Sequence, residues 1–157
     1  MALDPTARKA NIKDSIKKYF VDNLVTTEDK EVMFDKGLSE PDLTDKSVDR
    51  WVSINFGSIA MSALSDLYLN IFICSRADAE GFKNAQLRDT VMGYLVDTDK
   101  TDGMARIPLY QSSATQAWTL LAGGFLVQET TEGDEFDIDD QTKAVQLTVR
   151  LRWAAKV

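Results

Sequence analysis

Between residues 145 and 153 apolar and polar positions alternate without interruption: Val145, Leu147, Val149, Leu151 and Trp153 are separated by Gln146, Thr148, Arg150 and Arg152. A period of two predicts a strand with one face in the core and a polar, cationic face toward water or a partner. Residues 66–74 are denser. Leu67, Leu69, Ile71 and Ile73 line one face, while Tyr68, Phe72 and Cys74 share the other with Asn70, the pattern of a central strand covered on both faces. Val52, Ile54 and Phe56 alternate with Ser53 and Asn55 behind Trp51, which predicts a half-buried strand that residues 57–65 either continue or turn. Ile107 and Leu109 mark a short strand that Pro108 restricts to an edge or a bulge. Apolar runs at 118–121 and 125–127 are parted by Gly123 and Gly124, a bulge or tight bend.

Two segments change to helical spacing. Ile12, Ile16, Tyr19, Phe20 and Leu24 form one apolar stripe, with Arg8, Lys9, Lys13, Lys17 and Lys18 on the wet side. Asp4 as N-cap and Pro5 at the first turn predict a helix over about 5–24. Its cations make either a solvated face or a dock for an acidic neighbour. The second helix follows a cap at Asp78 and carries Leu87, Val91, Tyr94 and Leu95 on one side, giving a strand–helix unit over about 66–96. Between the first helix and the first long strand, residues 26–50 read as a mobile polar loop broken by Gly37 and Pro41, with Val32, Met33 and Phe34 as an edge strand. The last strand and the apolar runs before it predict a C-terminal β-hairpin over about 117–154, with an acidic excursion at 129–140. Two helices against a largely antiparallel or mixed sheet define an α+β fold, and 157 residues fit a single domain over 1–157.

Composition narrows the chemistry. The chain has no histidine and a single cysteine, Cys74, at a core position. Histidine-based triads and Cys–His pairs are therefore excluded, and a structural zinc site lacks ligands. No phosphate-cradling glycine motif is present. Asp97, Asp99, Asp102 and Gly103 loosely resemble a calcium loop, but Pro108 stands where the bidentate Glu would fall, so a polar turn is expected. Trp51, Trp118 and Trp153 sit at the ends of apolar runs and are read as core or subunit-interface residues. No catalytic, cofactor-binding or metal residue is assigned, and no cofactor is expected.

A formal charge of −7 and a pI near 4.6 argue against a conventional nucleic-acid binder, which neutralises phosphates with Lys and Arg. The start of the chain has no apolar leader core, and no apolar run is long enough to span a bilayer, so no membrane association is expected. A lone cysteine fits a reducing compartment.

The order of an amphipathic helix, a polar loop, two strands ending at Ser75 and Arg76, a second helix and a terminal hairpin closed by residues 145–153 resembles that of the tail terminator proteins of long-tailed bacteriophages. The resemblance covers nearly the whole chain. It implies a structural, non-enzymatic virion protein of the tail or neck, assembled in the host cytoplasm. Such a subunit joins copies of itself in a hexameric ring that caps the tail tube, stops its growth and receives the head-side connector, with DNA passing through the lumen unbound. Under that resemblance Arg150 and Arg152 of one subunit are candidates to meet Glu132, Asp134, Glu135 and Asp137 of the next. A head–tail connector or tail-completion subunit, a monomeric cytoplasmic protein-binding module and an enzyme using carboxylates alone are the other readings the sequence leaves open.

Overall fold

The computed structural model describes residues 2–36, 48–112 and 117–155. Among them a seven-stranded sheet runs in the order β1-β2-β3-β7-β5-β4, with β6 paired to β7 alongside. The strands are β1 (Glu31–Phe34), β2 (Arg50–Ala60), β3 (Ser65–Arg76), β4 (Arg106–Ser112), β5 (Trp118–Glu132), β6 (Phe136–Asp137) and β7 (Thr142–Trp153). All pairings are antiparallel except β1 with β2, so the sheet is mixed and the fold is α+β. Gly37 and Pro41, expected as loop breakers, lie outside the described residues.

Helices α1 (Lys9–Phe20) and α2 (Phe82–Met92) feed one core on one side of the sheet. Ile12, Ile16 and Phe20 of α1 and Leu87 and Val91 of α2 join Leu67, Leu69, Ile71 and Ile73 of β3 and Val149 and Leu151 of β7. These side chains are almost wholly out of water, each stabilising the fold by about 1.5–3 kcal/mol.

The first helix departs from its expected start. Asp4 does cap, taking the amide of Thr6 at 3.0 Å and its hydroxyl at 2.6 Å, but what it caps is one 3₁₀ turn, Pro5–Ala7. Arg8 is extended, and α1 begins at Lys9. Side chains claim the carbonyls the turn would need to continue: Asn11 Nδ2 donates to Pro5 O at 3.0 Å, and Trp153 Nε1 donates to Thr6 O at 3.1 Å. At its far end the helix loosens into π turns over Val21–Thr27, so the front of the expected 26–50 loop is helix, and β1 occupies a further part of it.

The expectation that β3 is covered on both faces needs correcting. Cys74 is fully buried, in a small second cluster with Met33, Trp51 and Ala144 against which Phe72 packs. Toward the other end of the strand Tyr68 is 38% exposed, because both helices lie on the opposite face. β2 continues through Ile59 with a register shift between Phe56 and Ile59, and only then turns. Gly57 sits in that shift, where an added Cβ would stand 2.8 Å from Tyr68 O. Pro108 lies in β4, the sheet's terminal strand, next to the register shift between Pro108 and Tyr110. Gly123 and Gly124 kink β5 without ending it.

Candidate functional site

Arg150 and Arg152 project from the outer face of β7, and the register places Arg152 opposite Asp66 and Arg150 opposite Tyr68 of β3. Asp66 takes both guanidinium groups. Its Oδ1 accepts from Arg152 Nε at 3.0 Å and from Arg150 Nε at 3.2 Å. The Arg152 and Arg150 hydrogen bonds hold the Asp66 carboxyl below its ordinary value of 3.8, and Asp66 in turn raises Arg150. Glu129 of β5 faces Arg150 on its other side. The two arginines thus share the Asp66 carboxylate of their own chain, with Glu129 beside Arg150.

The acidic hairpin between β5 and β7 is likewise engaged at home. Glu132 forms a two-point pair with Arg88 of α2, both contacts at 3.2 Å. Lys143 bridges Asp137 at 3.1 Å and Glu135 at 3.7 Å. Asp134 is exposed at the tip. Lys143 and Arg150 are seven positions apart on one strand, roughly 23 Å. The structure thus brings Glu135 and Asp137 to the start of β7 and Glu132 beside its middle, opposite Leu147, and leaves Arg150 and Arg152 toward its end.

Several other titratable groups close local structure. Asp78 is buried and caps α2 by accepting from Lys83 N at 3.1 Å, Asn84 N at 2.8 Å and Ser75 Oγ at 2.9 Å. Burial pushes its carboxyl up, but the amides of Asn84 and Lys83 and the Ser75 hydroxyl outweigh that and leave it lowered. Asp102 pairs with Arg106 at 2.9 Å, which brings its carboxyl down to about 2. Asp97 accepts from Asp99 N at 3.0 Å, closing the turn in which a calcium loop was weighed. Burial pushes the Cys74 thiol up to about 12, far from a reactive thiolate. Among the described residues no three His, Cys, Asp or Glu side chains are grouped to hold a metal ion, and no helix is long and apolar enough to cross a membrane.

A surface that the sequence pattern did not single out lies on the β4–β5 pair. Trp118 is 40% exposed and Leu120 is 65% exposed, so of the three tryptophans only Trp51 and Trp153 are core residues. Leu120, Leu126, Pro108 and Tyr110 line an open hollow of about 530 Å³. The Tyr110 ring meets Trp118 edge-on, with centroids 6.0 Å apart, and Lys18 Nζ lies over both rings. The clue in the sequence was the absence of any charge from 117 to 127; what it lacked was the pairing of these residues.

No family model and no curated protein matches the chain. Solved structures of similar fold do. One aligns over 92% of this chain and 97% of its own length, with a TM-score of 0.52 at 9% sequence identity. At that identity the likeness shows the fold alone: a single-domain α+β architecture.

Proposed function

We propose that the chain is a structural subunit of a long-tailed phage, a tail terminator that joins copies of itself into a ring, caps the tail tube and offers the surface on which the head-side connector docks. The observation that carries this reading is the element order on which the resemblance stands. The described elements run α1, the short β1, the long antiparallel pair β2–β3, α2, β4, and then β5 and β7 with the two-residue β6 between them. The exposed apolar residues of β5 fit a protein that works by contact with other subunits. The acidic balance suits a lumen that DNA traverses without adhering, since like charge weakens phosphate contact.

Mixing the protein with polymerising tail tube subunit tests the reading. A terminator shortens and narrows the tube-length distribution in proportion to its concentration. A connector or completion subunit binds preformed tubes and leaves growth unchanged, and a monomeric module does neither. Tubes of unaltered length at molar excess would remove the terminator assignment.

A further inference from the structure

We infer that Asp134 and Asp140, at the tip of the acidic hairpin, seat on the Arg150–Arg152 pair of a second copy of this chain. The inference rests on the ring reading and names the residues that meet between neighbours.

The receiving end is built around unspent donors. Arg150 and Arg152 each give Nε and Nη2 to Asp66, and among the described residues neither Nη1 has a partner. Asp66 holds both side chains in place, so a second anion meets donors that are already oriented and costs little further side-chain entropy. Glu129 stands opposite Arg150, but Arg152 stands opposite Leu126, so one of the two cations has no second carboxylate across from it. Exposed apolar residues border the pair. Tyr68 lies opposite Arg150, and Met61 and Leu64 flank the turn that leads into Asp66.

The hairpin offers the complement. Glu132 is held by Arg88, and Glu135 and Asp137 by Lys143. Asp134 and Asp140 are exposed and form no ion pair among the described residues. Phe136 and Ile138, in the same hairpin, are exposed as well. Each end thus combines charge of one sign with apolar surface, which supplies the desolvation that an isolated surface ion pair lacks.

The length of β7 separates the two ends, so a hairpin cannot reach the arginines of its own chain. Charges beyond about 8 Å are screened at physiological salt, and the local match therefore outweighs the net charge of −7 at contact. Two different patches on each copy make a heterologous contact, which repeats until the rotation closes a ring.

The test compares full-length wild type, Asp134→Lys with Asp140→Lys, and Arg150→Glu with Arg152→Glu by native mass spectrometry, with and without tail tube subunit. Either variant alone should associate at least tenfold more weakly than wild type. Their equimolar mixture should recover, because each lysine tip meets a glutamate pair and each native tip meets native arginines. The lysine variant alters only exposed side chains. Should the glutamate variant not fold, Ile138→Cys and Leu64→Cys proteins, mixed and treated with a short bis-maleimide, should give at least tenfold more covalent dimer than either alone; buried Cys74 does not react. Equal dimer in all three samples overturns the inference. Multimers of the lysine variant equal to wild type, or a mixture of the charge variants that does not recover, also overturn it and leave the ring reading standing. Recovery as a closed dimer retains the contact and removes the ring. No multimer of wild type, with or without tube subunit, overturns both.

Discussion

Strand β7 and the first half of β5 are both rich in apolar residues, yet they end in opposite situations. β7 is flanked by β3 along its whole length, and Val149 and Leu151 are buried under the helices. Its polar face is tied down by the Asp66 fork. Among the described residues the first half of β5 pairs with β4 alone, and it leaves Trp118 and Leu120 in water. Similar residues are therefore buried in one place and exposed in the other. What separates them, among the described residues, is whether a strand pairs on the second side, which composition does not reveal.

Substitutions should break this contrast in graded fashion. Leu69→Ala, beneath the helices, should cost about 2–5 kcal/mol in urea unfolding, since it opens a cavity in close-packed core. Gly124→Ala places a Cβ 2.7 Å from Ile107 O and must part β4 from β5, at about 1–3 kcal/mol. Asn84→Ala leaves Ile73 O, which now accepts from Asn84 Nδ2 at 2.8 Å, without its buried donor; a loss of about 1–3 kcal/mol is expected by the same measurement. Asp66→Asn should have a smaller, pH-dependent effect. The folded Asp66 carboxyl lies below 3.8, so its stabilisation is complete above that value and disappears as pH falls through the folded-state value. Wild type and variant should differ in urea midpoint at neutral pH and converge well below 3.8. Leu120→Asp should leave the monomer within about 0.5 kcal/mol of wild type, because the side chain is already exposed, while abolishing association.

The sequence carried the fold further than the site. Strict alternation in 145–153 and the 3.6-residue stripe from Ile12 to Leu24 located β7 and the first helical segment, since one buried face imposes one period. The double-sided apolar pattern of 66–74 overstated the cover on β3, because Tyr68 tolerates water at its ring edge as readily as burial. The break at Arg8 depended on Trp153, 147 positions from the Thr6 carbonyl it bonds, and no local rule reaches that far. Arg150 and Arg152 were visible as a cationic face. Their partner Asp66 was not, because recognising it requires the β3–β7 register. The same limit hid the exposure of Trp118 and Leu120 on β5, whose residues read as an ordinary strand until its neighbours were placed.

The most direct test of the account is tube length in the presence of wild-type protein and of Leu120→Asp, with both first matched in urea unfolding. The account predicts that wild type caps growing tubes at a length that falls as its concentration rises, and that the variant, equally folded, leaves them long. Tubes unaffected by wild type, or capped equally by both proteins, would contradict it.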